Sequence, residues 1–148
     1  MAGCMKHFVL NSSEGNREQA ASFLRAKRWA LGRDERHCAA LAPGDLVLIH
    51  VAKPRCEFIG RAELATAFRD WTPFESGASA DGRAGVLLAD VEEWPRAVPL
   101  DVVVHRIDPT ASNPYVQQNA AGFRSSIVLI TAEEYATVVT LSHETRKA

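Results

Sequence analysis

Apolar residues come in short runs of strand length divided by polar turns, and only a few stretches repeat with helical spacing. Lys6-His7-Phe8-Val9-Leu10 predicts a strand over 6–10, stopped by the polar run Asn11-Ser12-Ser13-Glu14-Gly15. Asn16 is placed to cap a helix over 17–27, with Gln19 in the reciprocal capping position and Ala20, Phe23 and Leu24 on one face. Asp34 opens a second short helix, 34–41, that turns Cys38 and Leu41 inward. Ala42-Pro43-Gly44-Asp45 then sets Pro and Gly where a turn needs them, and the apolar run after it predicts a strand over 46–51. A long strand over 57–68 follows, in which Gly60 marks a bulge or a close backbone approach. Residues 69 to 84 hold Trp71 and Pro73 in a loop long enough to suggest binding. Strands are expected over 86–93 and, from Val102-Val103-Val104, over 102–107. Ser125 to Ile130 reads as a strand-like entry to the last helix. Thr131-Ala132-Glu133-Glu134 is a capping box opening that helix, 132–143, with Tyr135, Val138 and Val139 as its buried stripe. The reading is one α+β domain dominated by sheet.

Composition narrows the class. A chain of 148 residues buries roughly 70% of its unfolded surface and needs neither disulfide nor metal to hold a core. At 47% apolar and 24% charged residues it is an ordinary globular chain. No run approaches the roughly 18 apolar residues of a membrane span, so no membrane partner is expected. The opening residues are too weakly apolar for a signal peptide, and Ala2 excludes a myristoylation start; the expectation is a cytoplasmic protein. Cys4, Cys38 and Cys56 form no Cys-x-x-Cys pair, which argues against a disulfide scaffold or zinc ribbon. The net charge of -1 hides an asymmetry: residues 1–61 carry +4 and residues 62–148 carry -5. That distribution either gives one face a positive field or is scatter over a solvated surface.

The sequence offers little to a catalyst. Its five histidines show no His-x-x-x-His pair, no acidic cluster has ligand spacing, and the glycines form no dinucleotide or phosphate-loop fingerprint. Cys38 beside His37 reads as a buried structural thiol. Neither a metal nor a cofactor is expected. Tryptophans stand out instead. Trp29 is flanked by Arg25, Lys27, Arg28, Arg33 and Arg36, a setting in which a ring stacks on a base and cations hold phosphates. The equal alternative is that Trp29 plugs the end of a barrel and the cations are solvated. Asn11, Ser12, Ser13 and Asn16 lie before a helix N-terminus, suited to reading a base edge or simply to capping that helix. Trp94, between an apolar strand and Pro95, reads as core.

The order of these motifs resembles the EVE domain of the PUA-like superfamily, a relative of the YTH readers of methylated adenine. The resemblance rests on Lys6 to Ser13, Lys27-Arg28-Trp29-Ala30-Leu31, Leu41 to His50, Phe58 to Glu63, Val91 to Trp94, and Gly122-Phe123-Arg124-Ser125-Ser126 running into Ile130 to Tyr135. It covers essentially the whole chain. It implies a small mixed β-barrel flanked by helices, with an aromatic pocket for a flipped-out modified base. Trp29 would be the first wall, Trp71 a second, and Ser13 and Asn16 the edge readers. Phe123, Arg124 and Ser125 would line the mouth. Ala30 stands where the YTH readers often have a serine, so one hydrogen bond of that scheme is missing. Together these readings predict a non-catalytic reader of a modified nucleobase in DNA or RNA, with Arg25, Lys27, Arg28 and Arg33 on phosphates. The rival is an enzyme or sensor that binds a small nucleobase-like metabolite; a purely structural interaction module would bind neither.

Overall fold

Strand β1 (His7–Ser12) buries Phe8, Val9 and Leu10 completely, so it needs cover on both faces and partners on both edges. It pairs in parallel with β3 (Leu46–Val51) and antiparallel with β7 (Ile127–Ile130). The structure is a computed structural model that describes residues 5–12, 17–31, 37–52, 56–72, 84–106 and 127–147. Its other elements are α1 (Arg17–Ala26), β2 (Arg28–Ala30), a 3-10 turn (Cys38–Ala40), β4 (Glu57–Leu64), β5 (Arg69–Asp70), β6 (Ala84–Pro99), α2 (Leu100–Arg106) and α3 (Ala132–Lys147). The strands run β2-β6-β4-β3-β1-β7, with β5 paired to β6 as well. This mixed sheet curls into a half-barrel with three α-helices against it.

Period-two alternation sends successive side chains to opposite faces, and each face has its own core. Phe8, Leu10, Val47, Ile49, Ile59 and Val86 pack with Leu24 of α1 and with Trp29. Val9, Leu48, Phe58, Trp94 and Val98 pack on the other side with Leu100 and Val103 of α2 and with Tyr135, Val138 and Leu141 of α3. Trp94 is fully enclosed there, and its indole N–H donates to the Glu92 carboxylate at 2.7 Å, which makes it the core residue its sequence setting predicts. Gly60 sits where the β3–β4 and β4–β6 registers shift, and a Cβ at this position would collide with the Glu92 carbonyl. The bulge and the close approach expected of it are both present.

Several boundaries differ from the sequence reading. The segment 102–107, expected as a strand, is helical as far as Arg106: Leu100 and Val103, three residues apart, are both buried while Val102 is 42% exposed. Leu100 N donates to the Cys56 carbonyl at 2.9 Å, and the Asp101 carboxylate accepts from Val102 N. Docking of that apolar pair overrides the strand preference of a valine run. The strand expected over 57–68 stops at Leu64, and the one expected over 86–93 extends to Ala84 and Pro99. Of the helix expected over 34–41, the part from 37 onward is a 3-10 turn that buries Cys38, with Leu41 also inside; 34–36 lie outside the described residues. The capping box is formed as predicted, with Thr131 N donating to Glu134 and Glu134 N donating to the Thr131 hydroxyl, each at 3.1 Å.

The Pro-Gly-Asp turn is held by its aspartate. The carboxylate of Asp45, 4% exposed, accepts from Lys6 N at 3.0 Å and from Ala42 N at 3.1 Å, and Lys6 Nζ lies 3.3 Å away. It ties the entry of β3 to the entry of β1. Asp45→Ala leaves two backbone donors unpaired and is expected to destabilise the fold by about 2–4 kcal/mol in urea unfolding. A loss under about 0.5 kcal/mol would show that water replaces the carboxylate without cost.

Candidate functional site

Three strands converge at the N-terminal end of β6. Gly85 pairs with Ala30 of β2 and with Arg69 of β5. A Cβ at Gly85 would collide with the Trp29 carbonyl and lie 2.8 Å from Cζ2 of Trp71, so only glycine lets the two tryptophan segments close on it. The guanidinium of Arg28 stands over the Trp71 ring, 5.8 Å from its centroid, in cation–π geometry. Trp71 is 7% exposed, and its Nε1 is buried with no hydrogen-bond partner among the described residues. Lys27, Arg69, Asp70 and Thr72 are exposed around this end of the sheet. Lys27 adopts a left-handed conformation (φ 59°) where α1 ends and β2 begins, which turns the chain so that Arg28 lies beside Trp71.

The residues expected to form one pocket are divided by the sheet. Trp29 is 3% exposed; it packs edge-on against Phe23, with ring centroids 5.2 Å apart, in the core beneath α1. Its ring is enclosed, and Ala30 beside it serves β2–β6 pairing. Asn11 lies on the opposite face, where its Oδ1 meets Nδ1 of His50 at 2.9 Å, and the His50 ring packs edge-on against Phe58. Asn11 is thus a buried partner of His50, away from both Trp29 and solvent. Ser12 is buried at the end of β1, and its carbonyl accepts from Ala52 N. Arg25 holds Glu93 through two bonds of 3.1 and 3.0 Å, which engages the guanidinium within the protein. Ser13, Asn16, Arg33, Phe123, Arg124 and Ser125 lie outside the described residues.

What remains together is Arg28, Trp71 and Gly85, with Lys27 and Arg69 exposed nearby. Arg69 and Gly85 were not singled out by sequence reasoning. Their part depends on β5 and β2 both pairing with β6, a long-range fact without a local signal. Among the described residues, no group of three His, Cys, Asp or Glu side chains converges to hold a metal, and no helix is long and apolar enough to cross a membrane.

Two measurements check these placements. Trp29→Ala is expected to cost about 3–5 kcal/mol of stability, because it empties a closed core site; a well-folded variant of near-native stability would contradict the enclosure. Burial lowers the pKa of His50 to about 3. Between pH 6.5 and that value the unfolded chain takes up a proton that the folded chain refuses, so stability present above pH 6.5 is lost as pH falls, by up to about 1.4 kcal/mol per pH unit. Plots of unfolding free energy against pH for wild type and His50→Gln should converge below pH 6.5; parallel curves would contradict the buried neutral imidazole.

No family model matches the chain, and no curated protein matches it. Solved structures do. A hypothetical protein from Leishmania major is 18% identical with a TM-score of 0.66, over 97% of this chain and 98% of that one. Rpa0253 from Rhodopseudomonas palustris is 20% identical with a TM-score of 0.62, over 94% of each chain. ASCH from Zymomonas mobilis is 18% identical with a TM-score of 0.59, over 92% of this chain and 95% of that one. At these identities the likeness is one of fold, and the fold of this chain is the ASCH-like, PUA-like α+β half-barrel.

Proposed function

We propose that the protein is a non-catalytic reader of a nucleobase in DNA or RNA, a modified base in the manner of the EVE domains its motif order resembles. The observation that carries the reading is the guanidinium of Arg28 over the Trp71 ring, at a sheet end where Lys27 and Arg69 are also exposed. A flat ring among cations is the minimal equipment for holding a base and its phosphates. Trp71 supplies the aromatic surface, while Arg28, Lys27 and Arg69 supply charge to the backbone. Trp29, enclosed in the core, acts by holding β2 in place. The PUA-like fold supports a nucleic-acid ligand in general, and the motif order favours a modified base.

Fluorescence anisotropy at two salt concentrations tests the reading, using single-stranded oligonucleotides with and without N6-methyladenine or 5-methylcytosine, and the matching free nucleosides. The oligomers should bind with affinity that falls steeply as salt rises, with a log–log slope of about −0.7 for each phosphate contact on a single strand. One modified oligomer should bind more tightly than its unmodified twin. Lys27→Ala should weaken both twins alike and reduce the slope by about 0.7. Salt-insensitive binding confined to free nucleosides would replace this reading with a small-metabolite sensor, and no binding at all would leave an interaction module.

A further inference from the structure

Trp71 poses a problem as a base platform. It is 7% exposed, its Nε1 has no accessible partner among the described residues, and a guanidinium stands over one face. An indole N–H is a donor only, and a buried donor without an acceptor is costly. A ring poised for a ligand and yet covered needs a cover that leaves when the ligand arrives. Arg28 meets that need. It sits on the three-residue strand β2 with a half-buried side chain, and its contact with Trp71 is a cation–π contact, weaker than a charge-assisted bond to an anion. Phosphate oxygens compete for a guanidinium in paired geometry that an aromatic face does not offer.

We infer that Arg28 is a removable cover on Trp71, drawn away by a phosphate, so that the site admits a base only together with the backbone that carries it. This rests on the nucleic-acid reading and deepens it: the ligand class is a phosphate-bearing nucleotide in a strand, and free bases and nucleosides are excluded. Once Arg28 has moved to the phosphate, the Trp71 face stacks on the base. Its Nε1–H then donates to an in-plane acceptor on the base edge, a carbonyl oxygen or an unprotonated ring nitrogen. No covalent step is involved, and the charge of Arg28 is used twice, first on the ring and then on the strand.

The test pairs a ligand-free readout with a binding readout on wild type and Arg28→Gln. Without any base, the Trp71 indole N–H resonance of the wild type should shift as inorganic phosphate is added, while in Arg28→Gln it should already exchange faster with water and be insensitive to phosphate. In binding, Arg28→Gln should lose affinity for single-stranded nonamers but gain about threefold to tenfold for N6-methyladenosine or 5-methylcytidine nucleosides, since the cation–π contact no longer has to be broken. An arginine that only touches phosphate leaves nucleoside affinity unchanged, and one that only supports the fold lowers both affinities; either result overturns the cover. If Arg28→Gln fails to fold, Arg28→Lys replaces it. That variant keeps the charge but loses the planar stack, so nonamer binding should persist while nucleoside binding rises; unchanged nucleoside binding overturns the cover. Should nonamers not bind the wild type while the indole readout behaves as stated, the nucleic-acid reading falls and the cover stands. An indole resonance indifferent to both phosphate and Arg28→Gln overturns the cover whatever the nonamers do.

Discussion

The rest of the structure depends on β6 bending. Sixteen extended residues would reach about 50 Å if straight, several times the radius of gyration of about 15 Å expected for a chain of this length. The strand is accommodated by curling. Its register with β4 shifts between Phe58 and Gly60 and again between Arg61 and Glu63, and Asp90 takes a left-handed conformation (φ 47°) at the second shift. Each bulge turns the strand, so that its first half pairs with β2 and β5 while its second half packs Trp94 and Val98 on the α2–α3 side. The functional end of the protein exists because that first half is carried away from the main sheet and flanked by two short strands.

The curled sheet also keeps chemistry on its two faces apart. Alternation along β1 places Phe8 and Leu10 toward α1 and Val9 toward α2 and α3, and Asn11 follows Val9. The amide of Asn11 therefore meets His50 within the second core, and cannot also reach the tryptophan side. Most other charges are spent on architecture: Arg25 on Glu93, Lys6 on Asp45, and Arg106 on Glu144 between the last two helices. The positive character of the first part of the chain is thus largely internal bookkeeping, and Lys27, Arg28 and Arg69 are what the described structure leaves around the β2–β5–β6 end.

Features set by neighbours in sequence were legible. The capping box at Thr131, the Pro-Gly-Asp turn, the close approach at Gly60 and the core setting of Trp94 each follow from a few adjacent residues. The opposite orientations of Asn11 and Ser12 were also within reach, since period-two alternation through β1 dictates them. What was not legible depends on pairing at a distance. Nothing in Arg28-Trp29-Ala30 marks a three-residue strand, because it is Lys27, a residue not normally chosen for left-handed backbone, that makes the turn into it. The valine run before His105 looks like a strand until Leu100 and Val103 find a shared apolar surface. The meeting of Arg28 with Trp71 requires both flanks of β6 to be known, so the sequence could name the two residues but not join them.

The central claim is that nucleic acid is engaged at the β2–β5–β6 end, on the side away from α2 and α3. Photocrosslinking of a bound single-stranded oligonucleotide, followed by mass spectrometric mapping of the attached peptides, locates the contact directly. Crosslinks should fall at Lys27, Arg28 and the segment from Arg69 to Thr72. Crosslinks confined to α3, between Glu133 and His143, would place the ligand on the opposite side of the sheet and contradict the account.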